Sequence, residues 1–375
     1  MDNALLGGMT AAQFLRRHWQ KKPLLVRGAI AGFEGPVTAD ALFALAARDD
    51  VESRIVLHER GRWSLRHGPI RRADRRTLPR RNWTLLVQGV NLHVPDADAL
   101  LRRFAFIPYA RLDDLMVSLA APGGGVGPHV DSYDVFLLQG TGRRRWRTSR
   151  QPDQALKPGL PLKILARFRP QQSRVLAPGD MLYLPPRVAH EGTAVESCIT
   201  YSIGFRAPET QELVLAFLDW LRDRVELPGG YDDRDLAATR EPARIGSTMR
   251  ARARAMLRRL RWDDQTAEQF LGCYLTDPKP TVRFATPAHP LEARVFRRAV
   301  RGRGVVLDAC TQLLYDEQHL FINGEAMAWP SRGPGTAAAL KRLANRRCLT
   351  AAEVRGAAPL RLLYQWYGHG FLRLG

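Results

Sequence analysis

The stretch Pro122-Gly-Gly-Gly-Val-Gly-Pro-His129-Val-Asp131-Ser-Tyr133-Asp134-Val-Phe-Leu-Leu138 decides how this chain is read. A glycine-rich turn feeds an alternating run, the pattern of a β-strand. In an extended strand residues i and i+2 project from one face, so His129, Asp131 and Tyr133 point together while Val130 points away. Two imidazoles and a carboxylate form the ligand set that holds Fe(II) by one face and leaves the opposite positions open. The second imidazole must come from another strand. His190 is placed for that, after the apolar run Met181-Leu-Tyr-Leu184, which Pro178-Gly179-Asp180 and Pro185-Pro186 bound as a short buried strand. A lone His is more often structural than ligating, and His-x-Asp alone is a weak motif; the turn and strand context raises it. Ligation further requires neutral imidazoles and an ionised carboxylate.

Working outward, the turn Gly140-Thr-Gly142 leads into Arg143-Arg-Arg-Trp-Arg147. If Trp146 faces the core, parity turns Arg144 inward and Arg143, Arg145 and Arg147 outward. A buried guanidinium needs an anion, either the bidentate carboxylate of a dicarboxylate co-substrate or an internal Asp or Glu. Asp113-Asp114 stand at the mouth of a further strand, where they could hold a cationic substrate side chain or simply cap a turn. From Leu115 to Phe205 nearly all signals are of strand type, with Gly and Pro punctuation.

The flanks read differently. Phe14, Leu15, His18 and Trp19 fit one face of a short helix that Pro23 should end, before an extended Leu24-Leu25-Val26. Ser64-Leu65-Arg66 and Trp83 to Val87 read as strands. After Pro208, Leu213, Val214, Phe217, Trp220 and Leu221 recur at helical spacing, as do Met249, Ala253, Met256, Leu257 and Leu260. The latter edge could be a partner-helix seam or pack within its own domain. Beyond Pro280, a helix over Leu291 to Arg298, strands around Asn323-Gly324 and two further helices suggest a small winged-helix-type unit. The expected division is 1–207, 208–280 and 281–375.

Composition sets limits. A chain of 375 residues can bury more than one core. No apolar run is long enough to span a bilayer and no signal core follows Met1, so a soluble, cytoplasmic protein is expected. Cys198, Cys273, Cys310 and Cys348 lack paired metal-site spacing and are expected to be free thiols. The net charge is +20, and only six of 57 basic residues are lysine. Such a field attracts polyanions, so proximity to RNA or the ribosome is one reading; an arginine-favouring genome is the other.

Taken together, Pro122 to Asp131, Asp134-Val-Phe136, Gln139-Gly-Thr-Gly-Arg-Arg-Arg-Trp146, Pro178-Gly-Asp180, His190-Glu-Gly192 and Tyr201-Ser-Ile-Gly-Phe-Arg206 resemble the JmjC-type ribosomal oxygenases. More closely, they resemble bacterial enzymes that hydroxylate an arginine of the large-subunit ribosomal protein uL16. The resemblance implies an α+β chain: a double-stranded β-helix (cupin) barrel, a helical dimerisation region and a winged-helix-like end. It implies iron at His129, Asp131 and His190, and 2-oxoglutarate, with dioxygen as co-substrate, anchored through Arg144. It further implies substrate arginine contacts at Asp114 and Tyr133, a large-subunit ribosomal protein as substrate, and a homodimer. One departure is Arg187, where the family pattern has glycine. Two other classes share these features: a JmjC hydroxylase or demethylase acting on His, Asn or methyl-lysine, and a non-enzymatic cupin sensor with a DNA-binding winged helix.

Overall fold

The computed structural model describes residues 3–330, 333–357 and 359–375. By packing, the chain falls into two compact units, Met1–Ala207 with Pro278–Thr311 and Pro334–Gly375, and Pro208–Asp277 with Gln312–Gly333.

The first unit opens with α1 (Ala11–Arg17), started by a capping box in which Thr10 and Gln13 satisfy each other's backbone N–H. The helix stops well before Pro23. Gln20 takes a left-handed φ of 55°, and its N–H is captured by the Tyr183 hydroxyl at 2.8 Å. There follow β1 (Leu24–Val26), α2 (Ala39–Ala46), β2 (Ser53–Glu59), β3 (Arg62–His67), α3 (Arg72–Arg76), β4 (Trp83–Val87), α4 (Pro95–Arg102) and β5 (Leu112–Ala120). The barrel is completed by β6 (Val135–Gln139), β7 (Arg144–Ser149), β8 (Gln172–Leu176), β9 (Met181–Leu184), β10 (Ala189–Ala194) and β11 (Cys198–Phe205).

One antiparallel sheet runs β1-β9-β6-β11-β5-β4-β2-β3 and the other β10-β7-β8. The central strands are buried on both faces. On β6, Val135 and Leu137 join Trp146, Leu176, Leu182 and Leu184 between the sheets. Phe136 and Leu138 point the other way, into the large core with Phe14, Leu42, Leu101, Phe104 and Tyr183. This double burial explains why the run reads as almost continuously apolar. The result is the double-stranded β-helix expected from the sequence.

The Pro178-Gly179-Asp180 turn is stereochemically fixed. Gly179 has φ 86°, and a Cβ there would lie 2.4 Å from the Ile30 carbonyl oxygen. Asp180 accepts from the N–H groups of Ala177 and Gly28, both at 3.0 Å, and so pins the entry to β9. Also in the first unit are α8 (Ala293–Arg303) and β12 (Val305–Leu307), which pairs with two later strands, β16 (Cys348–Leu349) and β17 (Leu372–Leu374). Three helices, α9 (Gly333–Arg346), α10 (Ala351–Ala357) and α11 (Leu360–Gly368), follow the hairpin rather than the two expected.

The second unit contains α5 (Thr210–Arg222), α6 (Ser247–Leu257) and α7 (Asp264–Thr276), with a meander of β13 (Leu313–Tyr315), β14 (His319–Ile322) and β15 (Glu325–Ala328). The β14–β15 turn is Asn323-Gly324, both at positive φ, as a two-residue hairpin requires. Phe217, Trp220, Trp262 and Phe270 form an aromatic cluster. No residue of α6 is fully buried, and Met249, Met256 and Leu257 of its apolar edge are exposed. All four cysteines are free thiols. No described helix is long and apolar enough to cross a membrane.

Candidate metal and anion site

His129 and His190 are locked to each other through their backbones. Each N–H donates to the other's carbonyl, at 3.0 and 2.9 Å, forming an isolated antiparallel bridge. The side chains are oriented from behind: His129 Nδ1 meets the Gly127 carbonyl and His190 Nδ1 the Val188 carbonyl, both at 2.9 Å. With Nδ1–H donated to a carbonyl, each ring turns an unprotonated Nε2 toward the cavity, the tautomer a metal requires. Asp131 Oδ2 lies 3.5 Å from His190 Nε2 and Asp131 Oδ1 3.9 Å from His129 Nε2. The three donor atoms sit within 4.8 Å of one another. Burial and the neighbouring His129 push the His190 pKa down to about 4, so its ring is neutral at physiological pH.

The strand expected to carry His129 continuously into Val135 is interrupted. After the single bridge the chain bends over residues 132 and 133, and β6 starts at Val135. The bend turns Asp134 into the core, where its carboxylate accepts from the Tyr183 hydroxyl at 2.5 Å and from Gln20 Nε2 at 3.1 Å. Tyr133 still lines the cavity, 40% exposed, and burial of its hydroxyl raises its pKa so that it stays protonated. The Arg187 departure is also resolved here. Arg187 has φ 63°, the left-handed region where glycine is at ease, and its N–H donates to the Asp131 carbonyl at 2.9 Å. The turn forms with arginine in place of glycine and still braces the Asp131 backbone.

Strand β7 obeys the expected parity. Arg144 and Trp146 are buried, whereas Arg143 pairs with Glu196 and Arg147 with Glu191 at the surface. Arg144 meets no carboxylate among the described residues. Its Nη1 donates to Ser118 Oγ at 3.0 Å and Thr200 Oγ1 at 3.3 Å, and its buried Nε has no partner. Thr200 is itself oriented, donating to Gln139 Oε1 at 3.1 Å. A guanidinium buried among two hydroxyls and the Cys198 thiol, with no carboxylate, is undersupplied with negative charge, and burial lowers its pKa while Cys198 opposes that fall. Opposite β7, β10 presents His190 in register with Thr148, Gly192 with Trp146 and Ala194 with Arg144. The small residues leave an open lane from the triad to Arg144. A Cβ on Gly192 would lie 2.7 Å from the Trp146 ring and close it.

All six residues singled out from sequence line one cavity of about 640 Å³. At its far end Asp114, buried, accepts from Gly89 N–H at 2.9 Å and Gln88 Nε2 at 3.3 Å. Lys279 Nζ reaches Asp113 at 2.9 Å and Asp114 at 3.7 Å. Burial raises the Asp114 pKa and Lys279 opposes that rise. Ser118, Thr200 and Lys279 escaped the sequence reading. For the first two the signal was present, a hydroxyl at an inward position of an otherwise apolar strand.

A JmjC domain model matches residues 99–213 and a ROXA-like winged-helix model residues 259–373. The chain is 38% identical over 344 residues to the "Ribosomal protein uL16 3-hydroxylase" of Escherichia coli, covering 90% of this chain and 89% of that one. The "Probable ribosomal oxygenase" of Haemophilus influenzae is 37% identical over 218 residues, 57% of this chain and 54% of the relative. Among solved structures, the Escherichia coli ribosomal oxygenase YcfD in complex with cobalt and 2-oxoglutarate superposes with a TM-score of 0.80 at 34% identity, covering 97% of this chain and 98% of that one.

Proposed function

The chain belongs to the JmjC ribosomal oxygenases, and from that membership we propose that it is an Fe(II)- and 2-oxoglutarate-dependent dioxygenase hydroxylating an arginine side chain of a large-subunit ribosomal protein. The observation that carries the reading is Arg144. It is a buried cation with no carboxylate and an unspent Nε, facing the same lane as a cluster of two imidazoles and a carboxylate. The donor set suits Fe(II), and the missing anion suits the distal carboxylate of 2-oxoglutarate.

In this reading His129, Asp131 and His190 hold the metal. When bound, iron with 2-oxoglutarate and dioxygen supplies the oxidant that places one oxygen atom in a C–H bond, the co-substrate leaving as succinate and carbon dioxide. The protein's part is positioning. The Gly127 and Val188 carbonyls fix both imidazole tautomers. Ser118 and Thr200 hold the Arg144 guanidinium on the Trp146 side of the lane, 5.7 Å from the ring centroid. Asp114 gives the cavity a localised negative end, which a guanidinium can satisfy bidentately, and Tyr133 lines its wall. Lys279 neutralises part of that charge before substrate arrives.

One further feature supports the wider reading. In the second unit Val214, Leu215 and Leu218 of α5 and Met249, Met256 and Leu257 of α6 are all exposed, Leu257 at 77%. Apolar faces of that extent are covered in a homodimer, which this region would build. A ribosomal-protein substrate makes the cytoplasm its place of work.

The test is succinate formation and peptide mass. A peptide from the ribosomal protein should gain one oxygen atom only with iron and 2-oxoglutarate present, and replacing its arginine by lysine should abolish the gain. Turnover of a His, Asn or methyl-lysine peptide in its stead would overturn the substrate assignment.

A further inference from the structure

The first unit carries a strongly basic face outside the cavity. Arg71-Arg-Ala-Asp-Arg-Arg-Thr-Leu-Pro-Arg-Arg81 places six arginines against one acid within eleven residues, and Arg60, Arg62 and Arg66 precede it. All nine are exposed. The structure makes them one surface. Arg66, on the outer face of the edge strand β3, pairs with Asp74 of α3, and Arg75 pairs with Asp40 of α2 at 2.6 Å. The His58 N–H to Asn82 carbonyl bond, 2.9 Å, ties the β2–β3 hairpin, with Arg60 and Arg62, to the end of the loop carrying Arg80 and Arg81. Glu59, Asp40 and Asp74 are the acids along it, leaving an excess of six positive charges. The opposite face of the same strand, with Leu65 and His67, lines the cavity, so the basic face borders the cavity's wall.

The chemistry of the face selects its partner. No large apolar or aromatic side chain is exposed between residues 59 and 82 among the described residues. The single tryptophan there, Trp63, is half-buried and stacked on His58 at 4.1 Å. A protein interface needs a desolvated apolar anchor, and single-stranded nucleic acid needs stacking platforms; neither is present. What remains is a fixed array of guanidiniums, suited to bidentate contact with successive phosphates. We infer that the β3–α3 face binds the phosphodiester backbone of structured RNA. The choice of RNA over another polyanion rests on the reading of the cavity as acting on a ribosomal protein. RNA also resolves a conflict of charge, since a +20 enzyme approaching a cationic substrate is repelled unless a polyanion lies between them.

The test uses the full chain and a fluorescent RNA duplex of about 20 base pairs, titrated over a salt series. Arg62, Arg72, Arg76 and Arg80 are changed together to Gln; the control variant changes Arg250, Arg254, Arg258 and Arg261, equally exposed arginines of the second unit. Each phosphate contact contributes roughly 0.7 to 0.9 to the slope of log affinity against log salt, so the β3–α3 variant should lose about three from that slope. At about 0.15 M salt it should bind at least tenfold more weakly, while the control shifts less than about twofold. Equal loss in both variants reduces the effect to net charge and overturns the proposal. So does a wild-type chain that ignores the duplex at that salt, or one that prefers a DNA duplex of equal length. Peptide hydroxylation, unchanged in both variants, reports folding separately. If wild-type peptide turnover fails while RNA binding maps to β3–α3, the oxygenase reading falls and this one stands.

Discussion

At the scale of single residues, Arg144 separates a co-substrate anchor from a structural ion pair by the sign of a stability change. A guanidinium buried against two hydroxyls and a thiol costs desolvation that no carboxylate among the described residues repays. Arg144→Met, similar in reach and apolar, is therefore expected to melt no lower than wild type in the absence of ligand. Were Arg144 half of an internal salt bridge, the same change would cost several kcal/mol. Saturating 2-oxoglutarate with metal should stabilise wild type by about 2.7 kcal/mol at a hundredfold excess over Kd, and the variant hardly at all. Thermal melts with and without ligand check both arms; a variant that melts well below wild type and keeps its ligand shift sinks the assignment. Arg144 was legible because strand parity is a local rule and Trp146 set its phase. Lys279 was not, because no local rule brings a residue 165 positions away to Asp114; only the chain's return does.

At the scale of elements, the strands announced themselves by alternation and by double burial, and the turns by glycine at positions where only glycine fits. What misled was continuity. His129 to Val135 reads as one strand, yet the buried Asp134 pulls the chain into a bend, a tertiary demand that outweighs local pattern. For α6 the heptad-like edge was visible, and whether it packs on its own unit was not; the exposure of Met249 and Leu257 keeps a partner seam as a proposal. The neighbouring helix α5 supplies the matching prediction. Leu215 and Leu218 are 51% and 44% exposed, so Leu215→Arg with Leu218→Arg removes only part of a side chain's packing from the monomer but places two charges in any apolar seam. Sedimentation should find wild type as a dimer and the double variant as a monomer with unchanged secondary structure. A wild type that sediments as a monomer across micromolar concentrations ends the homodimer proposal.

At the scale of the whole molecule, the C-terminal region's order of elements was legible and its allegiance was not. Segments Pro278–Thr311 and Pro334–Gly375 are grouped with the barrel in one compact unit. Lys279 pairs with Asp113 and Asp114, the Tyr109 hydroxyl donates to the Asn345 carbonyl at 3.1 Å, and Arg347 approaches Asp98 at 4.0 Å. A full chain carrying Lys279→Met, Tyr109→Phe and Asp98→Asn loses all three and leaves Asp114 buried without its cation, the arrangement that burial most penalises. Lys279 is 37% exposed, so solvent screens its share, and the combined cost should be about 1–3 kcal/mol. For a unit of this size that is a fall of several degrees in Tm. Lys279→Met in the full chain separates the ion pair from the rest: it should reproduce a minor part of the fall and, by leaving Asp114 less readily ionised, weaken peptide binding more than it slows turnover. Scanning calorimetry of the three proteins checks the first claim and peptide KM against kcat the second. If the triple variant melts with wild type and holds its peptide KM, these contacts do not fasten the C-terminal region and the barrel's negative end needs no lysine.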